Sequence, residues 1–367
     1  MSRSAALDER VFSEIKRLCF SGLDDLTLLR EVATRLQRAV PFEAYCASTM
    51  DPISGLITRS TAEGMGGMKA ARFYLEHLYL DEGDANEYRW MARSRRPVAL
   101  LSETTGDRIQ SSVRYREVTG PLGLMYEARS VSTMGDELWG AIDLAREHGR
   151  PDFSAREVTL LRRIAPHLGA GLKAAVLRSQ ASAETNSDGA LGVLMLDSRG
   201  RVLHHTAGAQ RFLADLGDLG PGWQEGEGLP MAVWAVIGAL RRALKSETER
   251  DRASVPRVCI RARSGRWLTL QASMSESHLG SQGELALIIE PAGPKEMAWL
   301  NTAAYGLSSR EREIVDLLVR GLPSKQIATS LYVTEDTVQK HLSNIFEKVG
   351  VRSRIALVKR LYLNTIP

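Results

Sequence analysis

"KQIATSLYVTEDTVQKHL", Lys325 to Leu342, holds two short apolar patterns separated by a turn that ends in a threonine. Thr334 is a preferred helix N-cap residue, and Glu335 and Asp336 follow it where the helix dipole favours negative charge. Val338, Leu342, Ile345 and Val349 then recur four, three and four apart, which makes one apolar stripe along a helix. By subtraction Thr337, Gln339, Lys340, Ser343, Asn344 and Lys348 point outward or lie along its edges. Upstream, Pro323-Ser324 opens a short helix that buries Ile327, Ala328 and Leu331. Before that, Ser308 and Glu311 have the capping-box spacing, Ile314, Val315, Leu317 and Leu318 give an apolar face, and Gly321 ends the helix.

Two helices joined by a tight turn, the second with an outward row of amides, hydroxyls and lysines, match what a DNA major groove requires. Gln and Asn bond adenine in bidentate fashion, Lys reaches guanine or phosphate, and helix N-termini meet phosphate. The bland alternative is a surface helix whose polar face is merely solvated. Charge favours the first reading. The segment from Leu307 to Pro367 carries ten Lys and Arg against six Asp and Glu, so it holds the whole +4 excess of the chain.

At these residues the sequence resembles the four-helix DNA-binding domain of the LuxR/NarL/FixJ regulators. Leu307, Arg310-Glu311-x-Glu313, Gly321, Lys325-x-Ile327-Ala328, Thr337-Val338, His341-Leu342, Asn344-Ile345, Lys348-x-Gly350-Val351 and Arg354 fall on the family pattern. The resemblance implies a homodimer on repeated half-sites of double-stranded DNA, the third helix reading bases and the fourth, Ser353 to Tyr362, joining protomers. The candidate DNA contacts are Ser324, Lys325, Thr334, Thr337, Gln339, Lys340, Ser343, Asn344, Lys348 and Arg352. One departure stands out: many relatives have Lys directly after the Thr-Val pair, and here that position is Gln339. An adenine or phosphate contact is therefore expected there in place of a lysine–guanine one. His341 reads as a packing or phosphate-facing residue with no catalytic role.

A chain of 367 residues exceeds what one compact core organises, and three domains are expected. Two stretches look like joints, "SQASAETNSDG" from Ser179 to Gly189 and "PAGPKE" from Pro291 to Glu296. With 44% apolar and 25% charged residues the composition is that of an ordinary soluble protein. No apolar run approaches the roughly 18 residues of a membrane span, and the opening "MSRSAALDERVF" lacks a secretory core. A cytoplasmic protein without a membrane partner is expected. Cys19, Cys46 and Cys259 lie far apart and read as reduced packing residues.

The expected fold class is multi-domain α+β. Residues 1–178 open with helical patterns around Val11–Leu18 and Leu26–Val40. Hairpins follow about Asp51-Pro52-Ile53-Ser54-Gly55 and about Gly135-Asp136. Ser154 and Glu157 then cap a long helix carrying Leu161, Ile164, Leu168, Leu172, Ala175 and Val176, with Pro166 placed to kink it. That helix either docks on its own domain or pairs with a second copy. The segment resembles a GAF-like α/β sensor domain ending in a long connecting helix. Residues 189–291 resemble a PAS-like α+β domain: two strands about Ser198-Arg199-Gly200, the helix "AGAQRFLADL", then three strand-like runs. Residues 305–367 form the all-α four-helix LuxR-type helix-turn-helix domain.

These resemblances imply a small-molecule effector held in the front domains. Tyr74, Tyr88, Trp90 and Trp139 are the candidate lining, although aromatics at such spacing are equally core. Neighbouring His204 and His205 on a strand face opposite sides and cannot share a metal. The acidic pair Asp24-Asp25 precedes a helix and not a strand, which argues against a phosphoacceptor, and "EGMGGMKA" lacks the Lys-Ser/Thr ending of a phosphate loop. No metal site, cofactor or catalytic residue is expected. The leading expectation is a one-component, ligand-responsive transcriptional regulator. The alternative is a constitutive dimeric one whose front domains only dimerise or contact RNA polymerase.

Overall fold

The computed structural model describes residues 3–79, 84–181, 191–217, 228–246, 255–274 and 284–363. They divide into two compact units, Met1–Pro291 and Ala292–Pro367. Most of the first joint, "SQASAETNSDG", lies outside the described residues.

The first unit opens with helices α1 (Arg3–Cys19) and α2 (Asp25–Leu36). Asp24 caps α2 by accepting from Thr27 N at 3.1 Å, a structural use of an acidic pair that could be mistaken for a phosphoacceptor. Next come strands β1 (Ala44–Met50) and β2 (Ile57–Glu63), joined by the expected hairpin about Asp51 to Gly55. Helices α3 (Gly67–Phe73), α4 (Tyr88–Arg93) and α5 (Leu101–Thr105) surround a short β3 (Val98–Leu100). The long hairpin β4 (Leu124–Met134) and β5 (Glu137–Glu147) turns at Gly135, whose φ of +64° suits a residue without a side chain. The sheet order is β2-β1-β5-β4-β3, antiparallel throughout.

Helix α6 (Ala155–Ala181) begins with the predicted box: Ser154 N donates to Glu157 Oε2 at 2.8 Å and Glu157 N to Ser154 Oγ at 3.4 Å. It continues through Pro166. Its stripe Leu161, Ile164, Leu168, Leu172 and Ala175 is buried within this chain, where α6 packs against α1, β4 and β5. Close approach is permitted by Gly140, where a Cβ would stand 2.5 Å from Leu172 Cδ1. Of the two readings of this helix, docking on its own sheet accounts for the stripe.

The second half of the unit carries β6 (Gly192–Leu196), β7 (Val202–His205), α7 (Ala207–Leu216), α8 (Met231–Lys245), β8 (Arg257–Arg261), β9 (Trp267–Met274) and β10 (Leu285–Pro291). Its order is β7-β6-β10-β9-β8, so the two sheets share one strand sequence: second, first, fifth, fourth, third. Asp197 closes the β6–β7 turn by accepting from Arg199 N and Arg201 N at 2.9 and 2.8 Å. His204 and His205 are both exposed on β7.

Helix α8 joins the two sheets. Ala232 to Gly238 are buried without interruption, and one apolar cluster runs from Leu56, Leu75 and Tyr79 through Trp234 and Ile237 to Val258 and Leu270. A Cβ on Gly238 would lie 2.2 Å from Leu75 O. Arg72 stacks on the Trp234 ring at 4.2 Å, and Cys259 N donates to the buried Asp51 at 3.3 Å. Cys19 and Cys46 are free thiols that burial pushes up to about 11, in keeping with their reading as packing residues.

The second unit is all helical: α9 (Pro294–Ala304), α10 (Ser309–Val319), α11 (Ser324–Ser330), α12 (Glu335–Val349) and α13 (Arg354–Val358), the last continued by a π-helical turn, Lys359–Leu363. The second joint is thus mostly helix from Pro294 on. Pro294 sits in the first turn, where a missing N–H costs nothing. The unit has its own core of Ile314, Val315, Leu318, Ile327, Val338, Leu342, Ile345 and Leu357.

Candidate functional site

The helix-turn-helix is assembled by the cap and apolar stripe that the sequence pattern shows, together with side chains that the pattern leaves unassigned. Thr334 caps α12, its Oγ1 accepting from Thr337 N at 3.2 Å and lying 2.8 Å from Thr337 Oγ1. Val338, Leu342, Ile345 and Val349 are all buried, as their spacing requires. The turn before α12 contains Tyr332, which has a φ of +54° and is 96% exposed. Arg310 on α10 donates to Leu331 O in that turn and pairs with Glu313 at 2.7 Å, so the turn is held from a third helix.

Three of the ten expected DNA contacts are bonded to other helices of the unit. Ser324 is only 5% exposed, and its Oγ accepts from Gln339 Nε2 at 3.0 Å and from Arg354. It therefore ties α11, α12 and α13 together. Gln339 lies on the exposed face, with its amide nitrogen donating within that tie. Lys348 donates to Glu311 Oε2 at 2.6 Å and to Gly306 O at 3.3 Å, closing the far end of α12 onto the start of α10. Burial alone raises the Glu311 carboxyl. The Lys348 and Ser308 hydrogen bonds outweigh it and hold the group below the usual carboxylate range.

The other members remain outside. Lys325, Lys340, Asn344 and Arg352 are exposed and make no side-chain hydrogen bond or ion pair among the described residues. Ser343 is exposed, its hydroxyl donating to Gln339 O at 3.1 Å. Sequence reasoning missed Arg310 and Tyr332 as parts of the site. Arg310 lay on the quoted motif without a role, and nothing in the spacing signals a left-handed tyrosine.

A second site lies in the first unit. A cavity of about 420 Å³ opens between the β1, β2, β4 and β5 face and α3, with π-helical segments Tyr74–Leu78 and Tyr115–Thr119 contributing Tyr74, Val118 and Thr119. Tyr74 and Tyr88 line it; Trp90 and Trp139 do not. Trp90 is exposed, with the Arg96 guanidinium 5.5 Å from its ring, and Trp139 is buried in β5. The lining missed by sequence reasoning is charged: Arg114, Glu127, Arg129 and Asp143, all buried. Among the described residues no group of three or more His, Cys, Asp or Glu is arranged to hold a metal, and no helix is long and apolar enough to cross a membrane.

Residues 306–361 match the family described as bacterial regulatory proteins, luxR family. The spore germination protein GerE of Bacillus subtilis is 44% identical over 55 residues, which are 15% of this chain and 74% of that protein. The nitrate/nitrite response regulator protein NarP of Escherichia coli is 44% identical over 50 residues, 14% of this chain and only 23% of that protein. Solved structures are more distant. The phycoerythrobilin-bound GAF domain from a cyanobacterial phytochrome has a TM-score of 0.31 at 12% identity, covering 48% of this chain and 98% of that one. The VqmA–ligand–DNA complex from Vibrio cholera has a TM-score of 0.23 at 14% identity, covering 48% and 83%.

Proposed function

We propose, for a chain that belongs through residues 306–361 to the luxR family of bacterial regulatory proteins, a cytoplasmic, dimeric, one-component regulator whose front unit is a small-molecule receptor. As a LuxR-type DNA-binding transcription regulator it requires a helix that enters the major groove, and α12 fits that part. The observation that carries the reading is the division of its polar residues. Lys340 and Asn344 stand free on a helix whose opposite face is fully buried, while Lys325 and Arg352 lie free on either side of it in sequence. In this reading Lys325, Lys340 and Arg352 neutralise phosphates, Asn344 reads a base edge, and Thr334, Thr337 and Ser343 approach the backbone.

Residues 1–178 and 189–291 are read as GAF-like and PAS-like modules. The shared strand order and the cavity in the first of them support this assignment. Effector control follows if a ligand in the cavity binds one arrangement of the dimer more tightly than another.

The test begins with duplexes selected from a random pool by the full-length protein. Lys340→Ala is expected to weaken binding to every duplex alike, whereas Asn344→Ala relaxes the preference at one position by about 1–3 kcal/mol. Equal loss on all sequences from both variants removes the assigned division of roles.

A further inference from the structure

We infer that the cavity of the first unit receives a small, mostly apolar molecule whose head group donates hydrogen bonds, a protonated amine by preference, and that this head docks against Asp143. The inference rests on reading the front unit as a receptor and adds the chemistry of what it receives.

Asp143 supplies the first observation. It is 7% exposed and lines the cavity, and Tyr88 donates its hydroxyl proton to Oδ2, while Oδ1 accepts no hydrogen bond among the described residues. A buried carboxylate oxygen without a donor is costly, so an occupant that donates to it is favoured over one that does not.

The arginines supply the second. Arg114 gives Nη1 to Asp84 at 2.5 Å, and Nε and Nη2 to Glu127 at 3.0 and 2.8 Å. Arg129 gives Nη1 to Asn86 O at 3.1 Å and Nη2 to the Tyr74 hydroxyl at 2.9 Å, with Glu127 3.0 Å from its Nε and Asp143 3.4 Å from Nη2. The four Nη atoms and Arg114 Nε are thus engaged by groups of the protein, and Arg129 Nε, which makes no hydrogen bond, is ion-paired with Glu127, which leaves little for an anionic ligand to bind. Three carboxylates, Asp84, Glu127 and Asp143, face two guanidiniums, so the cluster has one negative charge in excess.

Among buried side chains that excess is relieved by a proton or by a cation. Burial pushes the Asp143 carboxyl up, Arg129 opposes, and Glu127 adds to the rise. An ammonium head supplies that cation. The remaining lining, including Ile57, Ala62, Ala71 and Met231, is apolar and suits a hydrocarbon or aromatic body. Tyr74, whose oxygen already accepts from Arg129, keeps its own proton for a second polar atom of the ligand.

Three probes with one indole body and different heads separate the possibilities: tryptamine (cationic), tryptophol (neutral donor) and indole-3-acetate (anionic). Calorimetry on the full-length protein is expected to rank them in that order. Asp143→Asn weakens tryptamine by about tenfold or more and tryptophol by much less, the difference being a charge-assisted hydrogen bond. Ala71→Trp places an indole side chain in the space the probes need and is expected to abolish binding of both, with a thermal melt showing that the variant folds. If Asp143→Asn fails to fold, the rank order and Ala71→Trp decide alone. Indole-3-acetate binding as tightly as tryptamine, tryptamine binding that survives Ala71→Trp, or no tryptamine binding at millimolar concentration each overturns the inference. Tryptamine binding that leaves DNA affinity unchanged supports this site and contradicts effector control.

Discussion

Lys348 Nζ lies 2.6 Å from Glu311 Oε2, a carboxylate 37 positions earlier in the chain. Helical spacing places Lys348 on the polar side of α12 correctly, but no local pattern reveals the partner that draws its charge inward. The same is true of Ser324, which reads as a helix N-terminal hydroxyl and is instead covered by Gln339 and Arg354. Lys340 and Asn344 have no such partner among the described residues, so their exposure follows from helical spacing alone. Lys348→Met is therefore expected to destabilise the second unit by about 1 kcal/mol, discounted for a partly exposed lysine, and to leave base preference unchanged. The pH dependence has a definite sign. Glu311 is held below its ordinary range, so its contribution is present above the pH at which an unfolded glutamate ionises. It is lost as pH falls through the lower folded value. Denaturation of wild type and Lys348→Met across that range should show the difference shrinking toward acid. A difference that persists at low pH contradicts the pairing.

Among the elements, the hairpins about Asp51 and Gly135, the box at Ser154 and Glu157 and the caps at Ser308 and Thr334 were all readable. Each is decided by residues within a few positions of one another. Helix α8 was not readable. "MAVWAVIGAL" has no amphipathic period because the helix is enclosed by both sheets, and an all-round apolar run does not declare its type. That helix is also where the first unit is most easily broken. Trp234→Ala is expected to cost about 3–5 kcal/mol. Hydrogen exchange should then speed up in β1, β2 and β5 as well as in β6, β9 and β10. Loss of protection confined to the second sheet contradicts a shared core. Gly238→Ala sets a methyl 2.2 Å from Leu75 O and is expected to cost about 1–3 kcal/mol by overpacking, read from chemical denaturation.

At the scale of the whole molecule the sequence marks segments, and the structure joins the first two through one apolar cluster while leaving the third its own. The joint at Ser179 reads as polar and aperiodic, a property that says nothing of how the flanking sheets pack. Removing residues 1–291 is expected to leave a folded helical unit that binds DNA more weakly than the full chain, with a lower sedimentation-derived mass per complex. Equal affinity contradicts a role for the front unit in pairing two heads. The central claim is that free cations on and beside α12 meet phosphates. It is tested most directly by the salt dependence of full-length binding to a plain duplex, compared with the triple variant Lys325→Ala, Lys340→Ala, Arg352→Ala. Each lost phosphate contact lowers the slope of log K against log salt by about 0.9, so the account predicts a slope shallower by about 2.7. An unchanged slope contradicts it.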